Sequence, residues 1–310
     1  MTYSIGINWE QNSSISLFKN GRLIFASSEE RFSRIKNDER FPSLAFKYII
    51  KKYNLTKSNI DYVGFVSTQW TPSYSLTRHY TNFKHEDYIK EQEKIWYPRI
   101  FQKKKISHLK IFYKKIDFKQ FPGKAFWEKI IDKNFLNNID NASNKKLIEK
   151  GKFIRRQVLK KIIEIDDEKI FFLDHSTCHH FYSTFGSKPI ENELISLSLD
   201  AFGDDINYSV SIFKNTKKNV QYKNILSGNN FIIGRLYRYI TLLTGLKPNE
   251  HEYKLMGLAP YCQNEYSDKL FNKFKQFQDV KNCKFINKKF PKDLFFSIHE
   301  IIKYQRFDVI

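Results

Sequence analysis

The sharpest chemical feature of the sequence is Asp174-His175-Ser176-Thr177-Cys178-His179-His180, placed just after an apolar run. If the chain turns helical here, His175 and His179 stand at i and i+4. Their ring nitrogens then share one face and can converge on one ion. Two imidazoles plus a carboxylate oxygen suit a first-row divalent metal. The same residues also read as ordinary helix-start histidines with Asp174 as the N-cap, and spacing alone leaves both readings open. No His-Glu-x-x-His motif is present, which argues against a zinc protease.

Four further segments could bear on the same chemistry. Asp200-x-x-Gly203 closes a strand, where a carboxylate and a glycine turn can approach a phosphate or a metal; such a pair is also a common hairpin turn. Gly6-Ile7-Asn8-Trp9-Glu10-Gln11-Asn12-Ser13-Ser14 is a polar turn between two strands, either a phosphate cradle or a solvated hairpin. Glu29-Glu30-Arg31-Phe32-Ser33-Arg34-Ile35-Lys36 is a dense charge cluster, of the kind that usually forms a surface salt-bridge network worth little. Glu252-Tyr253-Lys254-Leu255-Met256-Gly257-Leu258-Ala259-Pro260-Tyr261 mixes charge with Met and Leu that could simply be core.

The elements that must position these residues are legible in outline. Tyr3–Asn8 and Ser14–Lys19 alternate apolar and polar residues, and Asn20-Gly21 supplies a type I′ turn into Arg22–Ala26. Pro42-Ser43 opens a helix through Lys52, and Tyr62–Val66 reads as a buried strand. Residues 71–165 form a long basic, aromatic-rich insertion, mostly helical with one break at Phe121-Pro122-Gly123. Strand Lys169–Leu173 runs into Asp174-His175. The opening pattern then repeats, with strands Glu193–Asp200, Asn207–Phe213 and Val220–Leu226, followed by a helix from Phe231 to Thr244 stopped by Gly245. From Tyr266 onward the pattern predicts helices and loops with no further strong strand. A duplicated unit of meander plus helix is the plan of the actin-like ATPase (ASKHA) fold, an α/β architecture with two lobes. The first lobe, residues 1–190, is complete on this reading; the second, 191–310, is unfinished.

Composition sets the background. With 41% hydrophobic and 16% aromatic residues the chain can bury a core. No stretch approaches 18 apolar residues, no secretory signal opens the chain, and three scattered cysteines form no framework. A cytoplasmic protein without membrane partners is expected. The net charge of +20 comes from 42 Lys and 11 Arg against 33 acidic residues. Residues 101–161 alone contribute 18 Lys+Arg against 5 Asp+Glu. That segment reads as a solvated helical insertion in preference to an RNA surface, because it lacks Arg-rich or Gly-aromatic signatures.

Taken together, the ordered blocks resemble the N-terminal half of the NodU/CmcH family of O-carbamoyltransferases. The stretches that carry the resemblance are SIGINWEQNSSISLFKNGRLIFASSEERFSRIKNDERFP, DHSTCHHFYSTF, SLDAFGDD and GRLYRYITLLTGLKPNEHEYKLMGLAPY. They cover most of residues 3–262 apart from the insertion. The resemblance implies an actin-like domain joined to a YrdC-like domain that makes carbamoyl-adenylate from ATP and carbamoyl phosphate. The carbamoyl group then passes to a hydroxyl of a small-molecule acceptor, such as an antibiotic or a sugar. It also implies a divalent metal, Fe(II), held by His175, His179 and Asp200 against the adenylate phosphate. By the same carry-over Lys36 meets the anionic intermediate; Asn8, Gly203 and Lys254 are expected to line the cofactor site, with Glu252 and Lys254 toward the acceptor pocket.

The departures from the family pattern fall on catalytic positions. The family's usual His-Asp in the first-strand turn is Gln11-Asn12 here, and Gln11 cannot act as a base toward the acceptor hydroxyl. The K-H-D segment reads Lys36-Asn37-Asp38, the second histidine of the usual D-H-H is Ser176, and a glycine is replaced by Cys262. The family's later G-G-V-A-x-N and G-D-x-G-x-A blocks and the YrdC-like domain are absent from this sequence. The expectation is therefore a truncated frame, a separately encoded C-terminal half, or lost activity, with an uncovered apolar face in the second lobe. Two rivals stand beside the transferase reading. One is a threonylcarbamoyl-tRNA-type enzyme, which a steep salt dependence of tRNA binding would favour. The other is a non-catalytic interaction protein.

Overall fold

The computed structural model describes residues 2–187, 192–216, 219–288 and 293–305. The lobe boundary expected at 190/191 lies outside the described residues. The chain is an α/β protein with a mixed sheet. It opens with strands β1 (Tyr3–Asn8), β2 (Ser14–Lys19) and β3 (Arg22–Ser28), the short helix α1 (Glu30–Ser33), helix α2 (Ser43–Tyr53) and strand β4 (Ile60–Val66). Seven helices follow: α3 (Pro72–His79), α4 (His85–Glu91), α5 (Tyr97–Phe101), α6 (His108–Phe112), α7 (Lys124–Ile130), α8 (Lys133–Asn138) and α9 (Asn144–Lys160). Strand β5 (Ile170–Leu173) leads into α10 (His175–Phe185). Then come β6 (Glu193–Gly203), β7 (Ile206–Asn215), β8 (Val220–Gly228), α11 (Ile233–Leu243), α12 (Glu252–Leu258), α13 (Asn264–Phe274), β9 (Gln278–Lys281), β10 (Lys284–Asn287) and α14 (Leu294–Ile302).

Two compact units organise these elements. Unit 1 comprises Met1–Asn82 and Lys105–Cys178; unit 2 comprises Phe83–Lys104 and His179–Ile310. The division falls inside α10, whose first turn goes with unit 1. Unit 1 is built on a five-stranded sheet of order β3-β2-β1-β4-β5. Its first three strands pair antiparallel, while β4 joins β1, and β5 joins β4, in parallel. The expected turn is present, with Asn20 and Gly21 both at positive φ. Ile5 and Ile7 of β1, Ile15 and Leu17 of β2, and Val63 and Phe65 of β4 form the core with Ala45, Phe46 and Ile49 of α2. Unit 2 contains the antiparallel sheet β6-β7-β8. Helix α11 stops where expected, with Gly245 at φ 82° and its N–H donating to the Leu242 carbonyl.

Two expectations need correction. The stretch after Tyr266 contains a short hairpin, β9 with β10, turned by Asn282 and Cys283, both at positive φ. Four-residue strands joined by Asn-Cys carry too little alternation to stand out. The insertion is not one helical run with a single break. Ser107, Asp132 and Ser143 each accept a hydrogen bond from a backbone N–H in the following turn and start a new helix. Nor is it only a solvated surface. Leu109, Trp127, Ile154, Val158 and Leu159 enter the core of unit 1. Arg155 of α9 is fully buried, donating to the Ser67 carbonyl at 2.6 Å with its guanidinium 4.3 Å from the Phe172 ring centroid. The segment Phe83–Lys104 groups with unit 2.

Candidate functional site

Helix α10 is started by Asp174, whose Oδ1 accepts from the Thr177 N–H at 2.9 Å and from the Thr177 hydroxyl at 3.1 Å. The helix sets His175 and His179 one turn apart, on one face. Asp200 reaches them from β6. Leu199 pairs with Tyr208 and Gly203 with Ile206, so three residues of β6 oppose Asn207 alone. This irregularity re-aims the strand at Asp200, as bulges beside functional sites commonly do. Asn207 is buried and holds the opposite side, accepting from the Phe231 N–H at 3.0 Å and donating to the Asn229 carbonyl at 3.1 Å.

One ligand atom from each of His175, His179 and Asp200 lies within 4.8 Å of the other two. His179 Nε2 stands 3.9 Å from Asp200 Oδ2. A divalent first-row ion bonds such donors at about 2.0–2.2 Å, which sets tetrahedral ligand atoms about 3.4 Å apart, so the three side chains must draw together, by up to about 1.4 Å, to share one ion. The donor set, two imidazoles and one carboxylate, fits that class of metal. The next residue has a different role. His180 is fully buried, with Nδ1 2.7 Å from Ser196 Oγ and Nε2 2.7 Å from Ser209 Oγ. It pins α10 to the sheet of unit 2 and so fixes its neighbour His179.

The other predicted residues fall in separate surroundings. Asn8, at the end of β1, donates from Nδ2 to the carbonyls of Gln11 and Asn12 at 3.3 and 3.4 Å, and so holds the turn that exposes both side chains. Asn12 adopts φ 55°, which asparagine tolerates. Lys36 is exposed in the turn after α1. Gly203 sits in the strand, and the left-handed positions of its hairpin are Asp204 and Asp205, so the turn itself does not need the glycine. Lys254 is exposed on α12 with its Nζ 6.0 Å from the Tyr253 ring centroid.

The charge cluster is the expected surface network only in part: Arg31 is mostly exposed and pairs with Glu30 at 3.6 Å, whereas Glu29 and the neighbouring Asp38 are not on the surface. Glu29 is buried, and its two carboxylate oxygens accept from the Leu44 and Ala45 N–H groups at 2.8 and 2.9 Å, capping α2 from a distance. Burial pushes its carboxyl above the usual range, against the opposing pull of those two donors. Asp38 is also buried and pairs with Arg40 through both of its oxygens. Burial alone would raise the Asp38 carboxyl, but hydrogen bonds from Arg40 and Ser33 prevail and hold it below the ordinary range. The Asp38 carbonyl accepts from the Ser13 N–H at 2.8 Å, tying this segment to the Gln11-Asn12 turn. A run of mixed charges signals neither burial nor capping. The cue that was available is the helix start at Pro42-Ser43, whose free N–H groups need an acceptor.

The fold and the His-His-Asp group define an α/β protein with a candidate metal centre beside a strand end. The chain belongs to the family described as carbamoyltransferase N-terminus, whose model matches residues 4–305. It is similar to the uncharacterized protein sll1178 of Synechocystis sp., 23% identical over 275 residues, which is 86% of this chain and 36% of that protein. It is also similar to the uncharacterized protein MJ1051 of Methanocaldococcus jannaschii, 26% identical over 259 residues, covering 83% and 33% respectively. The chain thus spans about a third of the length of these curated relatives. Among the described residues no helix is long and apolar enough to cross a membrane.

Proposed function

We propose that this chain is the N-terminal portion of an O-carbamoyltransferase of actin-like fold. In this reading it transfers a carbamoyl group from carbamoyl-adenylate to a hydroxyl of a small molecule. The observation that carries the reading is the convergence of His175, His179 and Asp200 in a chain of the carbamoyltransferase N-terminal family. The recurrence of a three-stranded meander, β1–β3 and again β6–β8, supports a duplicated architecture. ATP and carbamoyl phosphate are the proposed sources of the donor, made by a YrdC-like portion not contained in these residues.

His175, His179 and Asp200 would hold a divalent ion, Fe(II) by the resemblance. Once bound, such an ion supplies positive charge that anchors an anionic phosphate. The remaining roles belong to the chain itself. Lys36 presents an exposed ammonium to the anionic donor, and Gly203 ends the strand that carries Asp200 and is assigned to the same cofactor site. Asn8 holds the turn so that Gln11 and Asn12 can donate to and accept from an acceptor hydroxyl. Neither amide takes up a proton near neutral pH, so the hydroxyl proton leaves to solvent or to the donor's own oxygens. Lys254 is assigned to the acceptor side.

The test is metal content. Protein purified without chelator should carry close to one equivalent of a first-row metal, and His179→Ala should carry almost none while keeping its far-UV circular dichroism. A folded wild-type chain with no stoichiometric metal, even after anaerobic addition of Fe(II), would sink the proposal. The Gln11-Asn12 turn favours a second reading, a non-catalytic interaction protein. That reading predicts no carbamoyl transfer even when preformed carbamoyl-adenylate and the metal are both supplied.

A further inference from the structure

We infer that Glu10 is the positioning residue of the metal group, holding the His175 imidazole with its proton on Nδ1 and its ligand lone pair on Nε2. The inference rests on the metal reading above. Glu10 Oε2 lies 3.8 Å from His175 Nδ1, and the two side chains are 31% and 22% exposed. A neutral imidazole carries one N–H, and a carboxylate beside one ring nitrogen favours the proton there. At 3.8 Å this pair acts through charge; it is too long for a formed hydrogen bond. Glu10 stands outside the three-residue ligand group, whereas Asp200 belongs to it. The two carboxylates therefore have different tasks: Asp200 is a ligand, and Glu10 orients one.

Both ends of the pair are fixed by the fold. Glu10 follows Trp9, which is buried with its ring 5.1 Å from Phe41 and 5.0 Å from Trp70, centroid to centroid. The Trp9 carbonyl also accepts from Trp70 Nε1 at 3.2 Å. His175 is the first residue of a helix whose start is locked by Asp174. The sequence of unit 1 thus spends a buried tryptophan and a helix cap on the two residues that meet here. A turn whose family histidine is replaced by Gln11 still delivers a charged group to the metal ligands, one position earlier.

The experiment titrates Co(II) into the full chain as wild type, Glu10→Ala, Glu10→Gln and His179→Ala, with affinity read by chelator competition and geometry by d–d absorption. Nitrogen-15 NMR of the metal-free proteins reads the His175 tautomer. Loss of an outer-shell partner of this kind typically weakens metal binding by about 10–100-fold, and that is the expected effect of Glu10→Ala. Its saturated d–d spectrum should match wild type, and its His175 should shift from the Nδ1–H form to a mixture. Glu10→Gln, which keeps the size of the side chain and removes its charge, should weaken binding and release the tautomer nearly as much as Glu10→Ala. Unchanged affinity in Glu10→Ala overturns the inference and leaves the metal reading intact. An altered saturated spectrum also overturns it, because Glu10 would then be a ligand. A wild-type chain that takes up no Co(II) sinks the metal reading, and the inference with it.

Discussion

The two sheets start from the same alternation and bury opposite kinds of residue. In β1 the apolar set Tyr3, Ile5 and Ile7 is buried, flanked by β2 on one side and β4 on the other. In β6 the apolar set Ile195, Leu197 and Leu199 is 69%, 59% and 47% exposed, while Ser196 and Ser198 are buried. Strand β6 is also an edge among the described strands. The covered face of unit 2 is the polar one because α10 lies on it, with the His180 ring gripped by Ser196 and Ser209 and the Phe181 ring 5.3 Å from Phe213. A strand pattern therefore gives the period and says which residues share a face. Which face is covered depends on what packs there, and in unit 2 that is a histidine needing two hydroxyl partners.

The strongest way to break this contrast is to truncate a buried apolar residue of the unit 1 sheet. Ile7→Ala removes a fully buried side chain between β2 and β4, and such truncations cost about 2–5 kcal/mol. Denaturant unfolding should show that loss. A cost below about 1 kcal/mol would mean that the unit 1 sheet is as loosely covered as β6.

Next in size is the charged brace of unit 1. Replacing Asp38 by Asn leaves one amide facing the Arg40 guanidinium and should cost about 1–3 kcal/mol near neutral pH. The sign with pH follows from linkage. The Asp38 carboxyl is held below its ordinary value of 3.8, so its stabilisation is present above pH 3.8 and is lost as pH falls through the depressed folded value. The difference in unfolding free energy between wild type and Asp38→Asn should thus be constant from pH 5 to 7 and shrink below 3.8. A gap that stays constant down to pH 2 would show that Asp38 does not titrate as a paired carboxylate.

Much of this was legible in the sequence, for identifiable reasons. The first meander, its Asn20-Gly21 turn, the α10 start at Asp174 and the stop at Gly245 are local events, decided by residues within a turn of one another. The i, i+4 histidine pair is local too. Asp200 and Glu10 are not, because a bulge and a buried tryptophan set their directions, and both depend on partners far along the chain. The buried Glu29 was hidden for the same reason, since the N–H groups that donate to its carboxylate lie on α2; Asp38 meets Arg40 only two residues on, and its remote tie is the Ser13 N–H that donates to its carbonyl. The insertion misled in another way, since its lysines dominate the composition while its Trp127, Ile154 and Arg155 do the packing.

The smallest expected effect sharpens the contrast most. Leu197→Lys places a charge on the outward face of β6, where the side chain is mostly exposed. Surface substitutions away from buried features usually stay within about 0.5 kcal/mol, so the unfolding midpoint should barely move. What should change is association. The row Ile195, Leu197 and Leu199 on an edge strand is an aggregation liability, and one lysine there interrupts it. Light scattering at rising protein concentration should therefore show less self-association in Leu197→Lys than in wild type. A stability loss of about 2 kcal/mol or more, the range for a buried side chain, would mean that this face is covered in solution. The inverted alternation of β6 would then mark an interface and not an open surface.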